Sequence, residues 1–218
     1  CERFGIEMIS QGFGQSEAMG VLQRLGTPGV RWTKGALGIP VRDMGIRLID
    51  DDGRDVQPGE VGEFAVKPKV PHAIFEGYFN NPEANAAAFT ADGWYRMGDL
   101  GRSDEQGNYF FIDRKKDAVR YKGRNISTME VESVVRQHPA VAGVAAFGIR
   151  SAELESEDEL ALNVIVNAGM TLCEEDLARF INDNAPHYFV PRYIEIVDSL
   201  PYTPTNKIQK FKLRERGV

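Results

Sequence analysis

Residues Gly93 to Glu132 read GWYRMGDLGRSDEQGNYFFIDRKKDAVRYKGRNISTMEVE, and the reading of the whole fold works outward from them. Asp99 is expected in a turn, after the aromatic pair Trp94-Tyr95 and between Gly98 and Gly101. Gln106-Gly107-Asn108 marks a second turn, because glycine accepts positive φ there. Tyr109 to Ile112 is a short apolar run and predicts a strand. That strand is expected to stop at the charged cluster Asp113-Arg114-Lys115-Lys116-Asp117. A second strand, Ala118 to Tyr121, leads into Lys122-Gly123-Arg124-Asn125. Ser127 followed by Glu130 three residues on is a capping box that opens a helix. On composition alone this is a β-hairpin with solvated charges and a capped helix.

Upstream, Ile6 to Ser10 is a strand-like run. It enters Gln11-Gly12-Phe13-Gly14-Gln15-Ser16-Glu17, where glycines flank an aromatic ahead of a hydroxyl and a carboxylate. The reading is a loop at a strand end, suited either to a ligand or to a plain surface turn. Gly45 to Asp50 and Glu60 to Lys67 alternate apolar and polar, predicting a hairpin with one buried face. Asn81-Pro82 caps and starts a short helix through about Phe89.

Downstream, the helix after Ser127 is stopped at His138-Pro139, with His138 read as a cap for the last carbonyls. Val141 to Ile149 and Glu159 to Val166 predict strands. Thr171 with Glu174 is a second capping box, for a helix through about Asn184 with Leu177, Phe180 and Ile181 buried. Tyr193 to Val197 is a last strand. The order from Asp117 is hairpin, helix, strand, strand, helix, strand, a compact α+β module. The end, LPYTPTNKIQKFKLRERGV, is read as an extended basic tail.

The chain has 218 residues, 42% of them hydrophobic, enough for a packed core in one large or two small domains. The net charge of −6 disfavours nonspecific nucleic-acid binding. No apolar run approaches the roughly 20 residues of a membrane span, and the opening residues do not read as a secretory signal. Cys1 and Cys173 have neither metal-ligand spacing nor a disulfide framework; a reducing cytoplasm is the expected setting. The chain opens on Cys1-Glu2-Arg3-Phe4, inside a pattern already under way.

The order of signals in the central stretch resembles the adenylate-forming (AMP-binding) superfamily of acyl-CoA synthetases, luciferases and peptide-synthetase adenylation domains. There the pattern is W-Y-x-T-G-D, then a hairpin, then [G/D]-R-x-x-D, then G-x-N-[I/V] and E-[I/V]-E. This chain carries Trp94-Tyr95-Arg96-Met97-Gly98-Asp99, Asp113-Arg114-Lys115-Lys116-Asp117, Gly123-Arg124-Asn125-Ile126 and Glu130-Val131-Glu132. Its Phe13-Gly14-Gln15-Ser16-Glu17 is similar to the [Y/F]-G-x-[T/S]-E loop. Pro201 to Lys210 is similar to the C-terminal P-x-T-x-[G/N]-K-[I/V]-x-[K/R] loop. Asp113-Arg114 and the VPRYIEIV run are similar to the crotonobetaine/carnitine and medium-chain branch.

The resemblance implies an α+β fold: a distorted antiparallel β-barrel subdomain over 1–115, then a small mobile α+β C-terminal domain over 116–218. It implies activation of a small-molecule carboxylic acid by ATP and Mg²⁺, followed by thioester formation with CoA. Phe13 would lie against adenine, Gly14 and Ser16 would bind nucleotide, and Glu17 would hold Mg²⁺, a hard cation that takes oxygen ligands. Asp99 would accept hydrogen bonds from the ribose hydroxyls, with Arg114 adding a donor. Lys207 would be the catalytic cation, Lys116 the hinge, and Gly123 the close approach for the pantetheine arm of CoA. A homodimer is the candidate assembly.

Departures accompany the match. The Ser/Thr/Gly-rich phosphate loop expected upstream is not in the sequence, nor is most of a carboxylate pocket. The chain is therefore expected to be the C-terminal portion of a longer synthetase, inactive alone. Asn206 stands where glycine is usual, Ser16 for the commoner threonine, and Met97 for threonine before Gly-Asp. An adenylation domain that loads a carrier protein, or a non-catalytic binding module of the same fold, stays open beside the CoA ligase.

Overall fold

The structure, a computed structural model, describes residues 5, 10–25, 32–121, 124–151 and 157–217. Gly123, Cys1 and nearly all of the Ile6 to Ser10 run lie outside the described residues. The chain divides into two compact units, Cys1–Lys115 and Lys116–Val218.

The first unit is an antiparallel sheet. Its strands are β1 (Gln11–Gln15), β2 (Ala18–Arg24), β3 (Ala36–Pro40), β4 (Met44–Ile49), β5 (Gly62–Pro68), β6 (Tyr95–Ser103) and β7 (Tyr109–Arg114). They pair in the order β1-β2-β3-β7-β6-β5-β4. Helix α1 (Pro82–Ala88) starts where expected, with the Asn81 side chain accepting a hydrogen bond from Ala84 N. The core gathers Val21, Leu22, Phe64, Val66, Tyr95 and Met97.

Four expectations here are corrected. Residues 11–17 are not a loop: Phe13 and Gly14 lie in β1, and Ser16-Glu17 is the turn into β2. β5 is not buried on one face only, because Gly62 through Val66 are all buried, Glu63 included. A strand between two neighbours loses its solvent face when other chain covers it. Asp99 is not in a turn but inside β6. Glu63 pairs with Leu100 while Ala65 pairs with Arg96, so β6 carries extra residues there, a β-bulge around Gly98 at φ 70. β7 likewise runs on through Asp113, 2% exposed, to Arg114.

The second unit holds a hairpin of β8 (Val119–Tyr121) and β9 (Arg124–Ile126), helix α2 (Thr128–Val135), strands β10 (Val141–Arg150) and β11 (Asp158–Val166), helix α3 (Glu174–Asn184), strand β12 (Tyr193–Ile196) and helix α4 (Lys210–Arg216). β10 and β11 are antiparallel and β12 joins β11 in parallel. Period-two alternation in β10 sends Val144 and Ala146 to one face and Ala145 and Phe147 to the other. The first face packs Val131 and Val135 of α2 and Leu177 and Ile181 of α3. The second packs Leu200 and Leu213.

The helix after Ser127 starts as predicted, with Ser127 Oγ accepting from Glu130 N at 3.2 Å. Three details differ. α3 begins one residue after Cys173, with no side-chain cap, so Thr171 is not its cap. The His138 ring accepts a hydrogen bond from Ala140 N rather than capping a carbonyl. The basic tail is not extended throughout: Lys210 to Arg216 is helix α4, because Leu213 has an apolar surface to bury.

Candidate active site

In the first unit a buried carboxylate fastens the bulge. Glu63 is 4% exposed. Its Oε2 accepts from Arg96 Nη1 at 2.9 Å and Lys115 Nζ at 3.0 Å, and its Oε1 from Gly98 N at 3.1 Å. Lys115 N donates to Gly98 O at 2.8 Å, so both polar groups of Gly98 are held. Burial alone would lower the Lys115 ammonium. Its hydrogen bonds to Asp51 and Glu63 outweigh that and hold it above the usual lysine range. The next residue, Asp99, is thereby fixed at the edge of the bulge, 8% exposed. It faces its register partner Arg114, whose Nε lies 3.9 Å from Asp99 Oδ1, within ion-pair range but beyond a hydrogen bond.

The β1–β2 hairpin meets this bulge through Gln15, whose Nε2 donates to Met97 O at 3.1 Å. Glu17 accepts from Tyr78 Oη at 3.0 Å. Burial, first, and then the neighbouring Tyr78 hydroxyl and the charges of Glu17 and Asp99 push the Tyr95 hydroxyl above the usual phenol range. An open groove of about 540 Å³ lies against Tyr95, lined by Gln15, Tyr78, Met97, Gly98 and by Ala84, Ala87 and Ala88 of α1. Ligand sites commonly measure about 300–1,000 Å³. Gln15 and Gly98 line this groove; Glu17 and Asp99 lie next to its lining, Glu17 bonded to Tyr78 and Asp99 following Gly98 in β6.

Other predicted positions behave differently. Phe13 is half-buried, its ring 5.2 Å from Phe64 and 6.2 Å from Phe111, packed on the core. Gly14 crosses β2 so closely that a Cβ there would sit 2.7 Å from Ala18 O and from Gly20 N. Ser16 is exposed at the turn. Among the described residues no three metal-ligating side chains cluster.

In the second unit Lys207 is exposed on a tight loop. Thr203 N donates to Lys207 O at 2.8 Å, Lys207 N to Thr203 Oγ1 at 3.0 Å, and Gln209 N to Pro201 O at 2.8 Å. Asn206 takes φ 60, the left-handed conformation that asparagine tolerates in place of glycine. Lys116 is exposed and opens the second unit. Sequence reasoning missed Glu63, Gln15, Tyr78 and Lys115. Glu63, set between Gly62 and Phe64 inside the apolar part of EVGEFAVK, was the available signal.

The family model described as AMP-binding enzyme matches residues 1–79, and that of the AMP-binding enzyme C-terminal domain matches residues 130–207. The chain belongs to the AMP-binding enzyme family. Among its AMP-binding relatives, it is 35% identical over 216 residues to a crotonobetaine/carnitine–CoA ligase of Shigella dysenteriae and 34% identical to that of Escherichia coli O157:H7. Each alignment covers 98% of this chain and 41% of the relative, so the chain spans about two fifths of their length. The ATP-bound structure of MatB from Rhodopseudomonas palustris superposes with a TM-score of 0.80 at 27% identity, over 95% of this chain and 40% of that one. The o-succinylbenzoate CoA synthetase (MenE) of Bacillus subtilis, in complex with its acyl-adenylate OSB-AMP, gives 0.79 at 27% identity, over 95% and 41%. No helix among the described residues is long and apolar enough to cross a membrane.

Proposed function

We propose that an enzyme built on this chain joins a carboxylic acid to AMP, releasing pyrophosphate, and then passes the acyl group to the thiol of CoA. The observation that carries this reading is one groove lined by Gln15, Tyr78, Tyr95 and Gly98, with Glu17 bonded to Tyr78 and Asp99 next to Gly98. In this reading the ribose of the nucleotide is held by Asp99 and Arg114 and its phosphates reach toward Glu17. The names of the relatives, CoA ligases among them, support the same reaction.

A carboxylate is a poor acyl donor because its leaving group would be oxide. Its attack on the α-phosphate makes a mixed anhydride whose leaving group is AMP. Negative charge gathers between carboxylate and α-phosphate in the transition state. A cation supplied there lowers the barrier, and losing one such contact costs about 10²–10³ in rate. Lys207 is assigned that part, as a point charge on a flexible stem. Asp99 orients the ribose as a hydrogen-bond acceptor. Glu17 would hold Mg²⁺ carried in with the triphosphate, and that ion would offset phosphate charge. Phe13 offers at most the exposed part of its ring to adenine; Gly14 and Ser16 offer backbone and hydroxyl.

Lys116, at the junction of the units, is assigned the hinge, so that Lys207 serves the first step and is withdrawn for the second. Gly123 is assigned to the pantetheine approach on the resemblance alone. A cytosolic setting, where ATP and CoA meet, belongs to the same proposal.

The test is a carboxylic-acid panel with the full-length enzyme, ATP, Mg²⁺ and CoA, read as AMP and acyl-CoA, with Lys207→Ala beside it. The variant should lose adenylate formation by about 10²-fold or more and still make thioester from supplied acyl-AMP. Equal loss of both steps, or no pyrophosphate exchange into ATP with any acid, overturns the reading. Parallel arms with a carrier protein or an amine as acceptor identify the second substrate.

A further inference from the structure

The strongest polar feature of the second unit that the functional reading leaves unused is a buried ion pair at the root of the Lys207 loop. Glu132 lies on the inward face of α2 and is 5% exposed. Its Oε1 accepts from Lys210 Nζ at 2.8 Å and from Ala146 N of β10 at 3.0 Å; its Oε2 accepts from Arg136 Nη2 at 2.8 Å. Lys210 Nζ also donates to Thr128 Oγ1 at 2.8 Å. The Lys210 side chain is 14% exposed, so this lysine is inward where Lys207 is outward.

The position of Lys210 gives the pair its meaning. It is the first residue of α4, and the residue before it, Gln209, provides no side-chain cap. The rest of α4 has other anchors: Leu213 in the core, Arg214 on Asp117 at 2.7 Å, and Arg216 on Glu195. Those hold the middle and end of the helix. Lys210 holds the end that meets the loop. It lies three positions after Lys207, a reach of about 10 Å at full extension. On the far side of the loop, Leu200 is buried and Gln209 N bonds Pro201 O. The loop is thus pinned at both roots, and one pin is charged.

We propose that Lys210, through Glu132 and Thr128, is a positioning residue that holds the Lys207 loop in the shape the adenylation step needs. The kinetic part of this inference rests on the function proposed above; the loop-ordering part does not. Lys210 touches no reacting atom in this scheme. It sets where the backbone of Lys207 starts, and a shift of about 1 Å in a catalytic group can cost about 10²-fold in rate. A pair serving only the stability of the unit would affect both half-reactions alike.

The experiment compares Lys210→Met, Lys210→Arg and Thr128→Val with wild type in the full-length protein. Two readouts are taken: each half-reaction separately, and amide hydrogen exchange at residues 203–209. Lys210→Met should slow adenylate formation about 10²-fold, leave thioester formation from supplied acyl-AMP within about twofold, and speed exchange at the Thr203 and Lys207 amides. Lys210→Arg should recover most of the rate. Equal loss in both half-reactions, or unchanged exchange in the loop, overturns the proposal. Should Lys210→Met fail to fold, Thr128→Val decides: it removes one hydrogen bond from the ammonium, and a rate loss confined to adenylation is expected. If wild type forms no adenylate at all, the functional reading falls, and the exchange data alone decide whether Lys210 orders the loop.

Discussion

Replacing Glu63 by glutamine tests whether the bulge that presents Asp99 is held by charge or by shape. The substitution keeps volume and planarity, so packing around β5 is preserved. What changes is the hydrogen-bond pattern. Oε2 serves two cations, Arg96 and Lys115, and Oε1 serves the Gly98 N–H. An amide has one oxygen and one NH₂. Facing the oxygen to Gly98 turns the NH₂ toward two positive groups; flipping it sets NH₂ against N–H. Either orientation leaves a donor against a donor, at about 1–3 kcal/mol for the buried group left unpaired. The loss of charge on the hydrogen bonds to the cations adds about 1–2 kcal/mol, at the low end because the Arg96 and Lys115 side chains are 21% and 41% exposed. The total is about 3 kcal/mol. For a unit of this size that lowers its Tm by about 10 °C. Thermal unfolding followed by calorimetry reads the stability, and the KM for ATP reads the bulge, which should rise with little change in the acyl-transfer step. A Tm within about 2 °C of wild type, with an unchanged KM for ATP, refutes the role given to Glu63.

Alkaline pH should destabilise the first unit. Lys115 and Tyr95 both hold their protons more tightly in the folded state than in the unfolded one. Their contribution is complete below about pH 10 and is lost as pH climbs through the folded values. Tm against pH should fall above that point, and less steeply in Tyr95→Phe. Gly14→Ala should cost about 1–3 kcal/mol by overpacking, since its Cβ would press on the backbone of Ala18 and Gly20, which cannot rotate away; denaturant unfolding and the KM for ATP should both move. Asn206→Gly should leave adenylation near wild type, because glycine accepts the same φ of 60, whereas Asn206→Val should cost about 1–3 kcal/mol of loop strain and slow adenylation. Equal rates for these two variants would mean that the backbone conformation at 206 does not shape the loop.

Local chemistry made much of the fold readable in advance. Asn81 and Ser127 each cap the helix they precede, and Gly107 turns β6 into β7, because caps and turns are decided by neighbours within four residues. The order of elements in the second unit followed from apolar runs for the same reason. Contacts across long stretches of chain were not readable. Glu63 looked like the polar member of an alternating strand; its partners Arg96 and Lys115 lie 33 and 52 positions on. Lys210 looked like one charge in a solvated tail, while its partner Thr128 is 82 positions back. Asp99 was misplaced into a turn because Gly98 signals a bend without saying whether the chain reverses there or bulges within a strand; pairing with β5 and β7 on either side decides it. Each of these misses concerns a charge that folding moves from water to a partner. A charged side chain is readable as solvated or paired only once the partner's position is known. The burial of both Glu63 and Glu132 against cations therefore ties the geometry of the two candidate loops to distant sequence that neither loop's own motif contains.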